Sequence, residues 1–232
     1  MRSVRAMRTR WFDLTRTFGP SASVPKHVRG ANPPSITTVT AKRFRVGKEE
    51  FLLHKQEVKF ATHSGTHLDA FSHFIDGSQT IDAIPLEKLF GTGVVLGVAG
   101  KPSRPLSVAD LDESSPAVRK EDIVSIHTGW DEKYGTDEYY SHPYLAEEAA
   151  LWLAESRVKL VGIDTPTPEV PRSVCRASFD YPIHRTLLGN GVLILENVAN
   201  LYALSGRRLT IGVFPVKLEG GDGAPARVVA RL

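Results

Sequence analysis

The run His63-Ser-Gly-Thr-His67-Leu-Asp69-Ala-Phe-Ser-His73-Phe74 places three histidines and one aspartate within eleven residues. The whole chain has only 8 histidines, so three in one short run is a concentration. Imidazole and carboxylate donors at such spacing are what a borderline divalent metal such as zinc, or a harder one such as manganese, requires. The spacing also limits the backbone. In a helix His63 and His67 would share a face, but Asp69 would lie roughly 200° round from His67 at about 3.6 residues per turn. In a flat strand His63 and His67 would stand about 13 Å apart at roughly 3.3 Å per residue, too far to hold one ion comfortably. A strand that kinks at Gly65-Thr66 satisfies both limits. Gly65 can take backbone angles closed to other residues, and it leaves room beside a metal. A lone histidine is more often a hydrogen-bonded surface or core residue, but H-x3-H-x-D with a further His is a fairly specific combination.

At 232 residues the chain suits one domain with a substantial core. Apolar content of 41% and charged content of 24% are ordinary for a globular protein. Arg2, Arg5, Arg8 and Arg10 crowd the start, and setting them aside leaves the formal net charge of +3 close to neutral. Residues 1–10 are therefore expected to be a flexible basic arm, with Met7 a second possible start and one domain over residues 11–232. No aromatic-interleaved basic stripe is present, so no nucleic-acid surface is expected. Cys175 is the only cysteine, which excludes an internal disulfide and a thiolate cage. With no base identifiable beside it, Cys175 reads as an incidental thiol. The N-terminus lacks the apolar core of a signal peptide and no run approaches 18 apolar residues. A cytoplasmic protein without a membrane span is the expectation.

Residues 11–15 predict a first strand. A Pro-rich stretch over residues 25–34 predicts a long loop, in which His27 and Arg29 are candidate substrate contacts. Residues 36–46 and 57–62 alternate in polarity and predict strands leading into the histidine motif. Further strands are expected at 93–98, 122–127, 158–163, 192–195, 210–214 and 226–232. Helices are expected at 85–90, from a Ser107 cap, and at 146–156. Gly91-Thr-Gly93 lacks the third glycine and the following helix of a dinucleotide-binding loop. Strands outnumber long helices and alternate with them only in the middle, the pattern of a single α/β domain with a mixed β-sheet.

A quieter signal lies downstream. Pro182 fits the first turn of a helix, and Gly189-Asn190-Gly191 fits its stop. The chain then returns as Val192-Leu-Ile-Leu195 and ends in Glu196. A carboxylate closing an apolar run must reach water, a partner or a metal, because burying it alone is costly. The reversal can bring His184 and Glu196 together, although on spacing alone an ordinary strand end is the commoner outcome.

These residues carry a family resemblance. The segment from His63 to Phe74 resembles the H-x-G-T-H-x-D-x-P-x-H-F signature of the cyclase superfamily of metal-dependent hydrolases. That superfamily includes bacterial kynurenine formamidases, isatin hydrolases and some lactam- or lactone-opening enzymes. Trp11-Phe-Asp-Leu-Thr15, Thr128-Gly-Trp130, Val161-Gly-Ile-Asp164-Thr-Pro166, His184-Arg185, Glu196-Asn197 and Gly223-Ala-Pro-Ala-Arg227 look like its other landmarks, in its order. The resemblance implies a mixed α/β fold of the swivelling β/β/α type that forms dimers or tetramers. It implies a first metal on His63, His67 and Asp69. A second, where bound, would sit on Asp69, His184 and Glu196 with Asp69 bridging. His73 would be the acid/base residue. The implied cofactor is a divalent metal, Zn2+ or Mn2+, one or two per chain. Phe71 stands where the signature has proline, which alters the pocket wall. The run Glu196-Asn-Val-Ala-Asn-Leu looks closer to the broad hydrolase branch than to typical kynurenine formamidases.

The activity expected is hydrolysis of a carbon–nitrogen amide bond of a small aromatic substrate by metal-activated water, as in an arylformamidase. Opening of a cyclic amide or lactone uses the same attack and stays open beside it. Trp11, Phe74 and Trp130 are the candidates for stacking on a substrate ring, each with ordinary core packing as its rival role. A metal-stabilised binding protein without turnover is disfavoured, since structural zinc sites are closed and commonly use thiolates. An iron oxygenase with two histidines and one carboxylate is the remaining rival.

Overall fold

Four near-continuous apolar runs between residues 90 and 196 form parallel strands. Strands covered on both faces need no polar alternation. A computed structural model describes residues 9–22, 33–175 and 178–232. In chain order the strands are β1 (Trp11–Asp13), β2 (Ser35–Val46), β3 (Glu49–Lys59), β4 (His67–Asp69), β5 (Phe90–Gly97), β6 (Pro105–Leu106), β7 (Ile123–His127), β8 (Tyr144–Leu145), β9 (Leu160–Ile163), β10 (Leu193–Glu196), β11 (Arg207–Pro215) and β12 (Gly223–Arg231). The α-helices are α1 (Leu86–Leu89), α2 (Val108–Asp112), α3 (Glu147–Glu155) and α4 (Pro182–Gly189).

The main sheet runs β1-β12-β11-β5-β7-β9-β10-β4, and β4 pairs again with β12. The sheet thereby closes into a barrel-like ring. Strands β5, β7, β9 and β10 are mutually parallel; the remaining pairs are antiparallel. Parallel neighbours need crossover connections, and α2, α3 and α4 lie in those crossovers. Ser107 caps α2 with a capping box to Asp110, as the sequence led us to expect. The core is filled by Leu68, Val94, Leu96, Ile123, Ile126, Leu160, Ile163, Leu193, Leu195, Ile211, Val213 and Val228, all buried. The expected single mixed α/β domain is therefore borne out, and ring closure is an addition to it. No helix among the described residues is long and apolar enough to cross a membrane.

Two boundaries differ from expectation. Arg10, assigned to the arm, exchanges backbone hydrogen bonds with Leu232 and extends the β1–β12 ladder by one pair. Residues 1–8 lie outside the described residues, as do His27 and Arg29. The strand expected at 57–62 is the end of β3, which stops at Lys59. β2 and β3 form a separate two-stranded sheet joined by the turn Gly47-Lys48, with Gly47 at φ +62°. The register Val46↔Glu49, Phe44↔Phe51 and Lys42↔Leu53 sets Phe44, Val46, Phe51 and Leu53 on one face. All four are exposed, and the rings of Phe44 and Phe51 stack with centroids 5.7 Å apart.

His142 supplies a test of the core. It is buried, its Nδ1–H donates to the Pro143 carbonyl at 3.0 Å, and burial pushes its pKa down to about 4. The unfolded chain titrates this ring near 6.5, so between those values the unfolded state binds more protons and acid favours unfolding. Stability linked to His142 is present above about 6.5 and is lost as the pH falls towards 4. A His142→Gln variant should lose less stability than the parent over that interval, by about 3 kcal/mol. Denaturant melts at several pH values check this; parallel acid profiles would refute it.

Candidate metal centre

The histidine motif bends where its spacing requires. Residues 63–66 lie outside strand structure, and only His67–Asp69 is extended. Gly65 sits at φ +62°, and a Cβ there would come within 3.1 Å of the Phe18 ring. Both the angle and the space therefore favour glycine. His67 and Asp69, two residues apart, project to the same face of β4, and Glu196 stands directly opposite His67 on β10. Pro182 starts α4 at its first turn and sets His184 in that turn. The 3-10 turn Phe71–His73 follows β4 and carries His73 back to the same place.

Four side chains converge in the interior. His67 Nε2 lies 3.2 Å from Glu196 Oε2 and 3.5 Å from Asp69 Oδ1. His184 Nε2 lies 3.5 Å from Asp69 Oδ2 and 3.4 Å from Glu196 Oε1. All four residues are buried. The other ring nitrogens are held from outside. His67 Nδ1–H donates to the Gly65 carbonyl at 2.9 Å, and His184 Nδ1–H donates to Glu169 Oε1 at 2.8 Å. Each ring, when neutral, thus turns a lone-pair-bearing Nε2 inward. His67 Nε2 and Asp69 Oδ2 are buried with no hydrogen-bond partner. Orphaned buried polar atoms are rare, and an imidazole nitrogen among carboxylate oxygens fits a divalent cation. A donor set of nitrogen and carboxylate oxygen, without thiolate, accommodates zinc or manganese.

The two remaining histidines flank this set. His63 Nδ1 lies 2.7 Å from Asp69 Oδ1, and His63 Nε2 lies 2.9 Å from Asp222 Oδ2. His73 Nδ1 approaches the same Asp222 oxygen at 3.3 Å. The rings of His63 and His73 lie 3.9 Å apart by centroid. His63, His67 and Asp69 offer donor atoms within 4.8 Å of one another, as do Asp69, His73 and His184. Phe74 stacks on His184 with centroids 4.8 Å apart, and Tyr181 lies 5.5 Å from Phe74.

The electrostatics follow from this packing. Burial alone would raise the Asp69 carboxyl, but His184, His63 and His67 hold it well below the usual carboxylate range. Burial works against the charged form of His63 too, yet Asp69 and Asp222 push it up to about 9. His184 is raised well above its ordinary value against burial by Asp69, Glu169 and Glu196. His73 moves the other way: burial lowers it against the pull of Asp69, with His63 and His184 adding to the fall. Carboxylates that hold protons on imidazoles attract a divalent cation by the same charge, and metal uptake displaces those protons.

The supports of the site come from outside the motif. The Thr66 hydroxyl donates to the Asn197 carbonyl at 2.7 Å, tying the residue before His67 to the residue after Glu196. Tyr139 donates its hydroxyl to Asn197 Oδ1 at 2.9 Å. Of the three aromatic candidates, only Phe74 meets the histidines. Trp11 is 61% exposed on β1 and sits opposite Arg231. On β12 that position lies about 20 Å along the strand from Pro225, the partner of His67, at roughly 3.3 Å per residue. Trp130 is buried and donates its indole N–H at 2.9 Å to the carbonyl of Tyr139, whose hydroxyl reaches Asn197. Cys175 is half-buried, its thiol 3.4 Å from the Arg172 carbonyl. A cavity of about 610 Å³ between Phe18, Phe60, Phe214 and Arg227 is lined by none of the histidines. Sequence reasoning missed Glu169, Asp222 and Tyr181. Asp222 lies in a Gly-Gly-Asp-Gly turn, and Tyr181 precedes a proline, so both read as turn residues. Glu169 has no spacing cue, because its partner is fifteen residues away.

Comparison with known proteins places the chain among relatives of the same fold. The family profile Cyclase, described as putative cyclase, matches residues 12–170. A kynurenine formamidase of Salinibacter ruber is 32% identical over 221 residues, covering 94% of this chain and 96% of that protein. A protein of Bacillus stearothermophilus described as a predicted metal-dependent hydrolase superposes with a TM-score of 0.76 at 27% identity, covering 97% of this chain and 99% of the other. Isatin hydrolase A from Ralstonia solanacearum superposes with a TM-score of 0.81 at 25% identity, covering 97% and 92% of the two chains.

Glu169 orients His184 as an outer partner orients a metal-bound imidazole, and loss of such a partner typically weakens metal affinity tenfold to hundredfold. We expect Glu169→Ala to bind zinc or manganese weaker by about that factor, read by competition with a chelator. Affinity in the parent should rise with pH towards about 9, the value for His63, as fewer protons need displacing. Unchanged affinity in Glu169→Ala would show that His184 needs no such support.

Proposed function

This chain belongs to the Cyclase family, and from that membership we propose that it is a metal-dependent amidohydrolase cleaving a carbon–nitrogen amide bond of a small aromatic substrate. What carries the proposal is the inward-facing set His67, Asp69, His184 and Glu196, with two orphaned donor atoms and His73 at its edge. In this proposal His63, His67 and Asp69 would hold one ion, and Asp69, His184 and Glu196 would hold a second where one binds. Zinc is the preferred ion and manganese the alternative. A divalent ion held there supplies Lewis acidity, which lowers the pKa of a water molecule from about 15.7 to roughly 7.

The chain's own groups complete the chemistry. An amide nitrogen is a poor leaving group until it takes a proton. His73 is only part-buried and lies beside the carboxylate set, which suits it to carry that proton. Burial, with His63 and His184 nearby, lowers His73, which suits a ring that first takes a proton from water and then passes it to the leaving nitrogen. Phe74, stacked on His184, and Tyr181 beside it offer an aromatic wall for a substrate ring. An aryl formamide such as N-formylkynurenine is the preferred substrate, supported by the likeness to the Salinibacter ruber enzyme. A cyclic amide of the isatin kind is the second reading, favoured by the likeness to the Ralstonia solanacearum structure. Residues 11–232 would act as one hydrolase domain. A single cysteine, which forms no internal disulfide, supports a cytoplasmic setting.

A homodimer is supported by the β2–β3 hairpin. A two-stranded hairpin is at best marginally stable alone in water, and this one exposes Phe44, Val46, Phe51 and Leu53 on one face. Phe51→Asp should shift the protein from dimer to monomer in sedimentation, whereas a parent that sediments as a monomer would refute the assembly.

The activity is tested with enzyme reloaded with zinc or manganese against a chelated control, on N-formylkynurenine and on isatin. Chelator-sensitive formate release supports the first reading, and ring opening of isatin without formamide hydrolysis supports the second. No turnover of either compound in either metal form would overturn the function. His73→Ala should lower kcat by about 10² to 10⁴ while metal content stays at the parent level. Full activity in that variant would remove His73 from the chemistry.

A further inference from the structure

We propose that Asp222 is a positioning residue that orients both His63 and His73, setting one metal ligand and the proton carrier with a single carboxylate. This rests on the hydrolase function proposed above. Asp222 Oδ2 lies 2.9 Å from His63 Nε2 and 3.3 Å from His73 Nδ1. The two rings come from opposite flanks of β4, His63 from the bend before it and His73 from the turn after it. They lie almost face to face, 3.9 Å apart by centroid and tilted by 33°. A shared acceptor at their outer edge is what fixes both rotations.

The backbone holds Asp222 at this height. Its carbonyl accepts from the Ala70 N–H at 2.9 Å, and the Gly221 carbonyl accepts from the Ile81 N–H at 2.8 Å. Gly223 pairs in register with Asp69, and a Cβ on Gly223 would come within 2.9 Å of His63 Cε1 and 2.8 Å of the Leu68 carbonyl. The glycine after Asp222 therefore lets the turn approach His63 closely enough for the carboxylate to reach its ring. The orienting bonds also decide which nitrogens remain available. With Nε2 on Asp222, His63 keeps Nδ1 on the Asp69 side, and with Nδ1 on Asp222, His73 keeps Nε2. An imidazole that donates one N–H to a carboxylate is fixed in orientation and made a better base at the other nitrogen.

The experiment uses the full chain with Asp222→Ala and Asp222→Asn. Metal affinity is read by chelator competition and metal content by elemental analysis, with kcat and KM measured at saturating metal. Outer partners of this kind are typically worth tenfold to hundredfold. Asp222→Ala should reach full metal content with affinity weaker by about tenfold or more, and its kcat should fall by a similar factor with KM within about twofold. Asp222→Asn, which retains an acceptor oxygen and the shape of the turn, should recover part of both. Parent-like metal affinity and kcat in Asp222→Ala would overturn the proposal. Failure of both variants to take up metal at saturation would overturn it too, by making Asp222 a ligand. The metal-affinity readout needs no substrate, so it judges Asp222 even if the parent hydrolyses neither amide.

Discussion

β4 hydrogen-bonds along both of its edges. His67, Leu68 and Asp69 face Glu196, Leu195 and Ile194 on one side and Pro225, Ala224 and Gly223 on the other. This three-residue strand closes the sheet, and it carries two of the charged groups on which the site depends. Its brevity matters. A longer strand would carry His63 out along the same line, whereas the bend at Gly65 folds that ring back onto Asp69. Ring closure and assembly of the histidine cluster are thus one event in the fold.

The cluster is costly for a metal-free protein. Asp69 and Glu196 are both buried and sit within 3.5 Å of the same two imidazole nitrogens. Buried carboxylates need compensating charge, and leaving a buried group unmatched costs several kcal/mol in order of magnitude. The apolar ring around them explains why the compensation is local. Leu68, Leu195 and Ile194 exclude solvent on the strands that bear Asp69 and Glu196, so positive charge must come either from protonated imidazoles or from a bound cation. The outer hydrogen bonds to Gly65 and Glu169 bias that choice by pointing lone pairs inward.

Most of the residues that the fold gathers at the candidate centre were legible in the sequence, for reasons that can be named. His63, His67, Asp69 and His73 lie close together in the chain, so local geometry alone required a bend at Gly65. From the residues alone, the helix-and-return pattern of Pro182 to Val192 set a direction for His184 and Glu196 but not a contact; the family resemblance paired them. Asp222 and Glu169 were invisible, because an orienting carboxylate has no characteristic spacing from a ring 149 or 15 residues away. Trp11 and Trp130 lie away from the histidines for opposite reasons. One lies on the far end of β12's ladder, and the other has its polar atom satisfied in the interior. The closed ring could not be read either, since pairing of β4 with β12 is fixed by tertiary contact and leaves no periodic signature.

The double pairing of β4 also has a consequence for how the molecule comes into being. Residues 67–69 emerge from synthesis early, but one of their two partner strands begins at Gly223. Contacts of such large sequence separation form late, because the entropy of closing the intervening loop must be overcome first. The parallel block from β5 to β10 can pack while the chain is still growing, but the last edge of the metal centre cannot. A nascent chain therefore carries His63, His67 and Asp69 without the Gly223–Pro225 edge for most of its synthesis. The enclosed site exists only once the segment from Gly220 to Pro225 has folded across it.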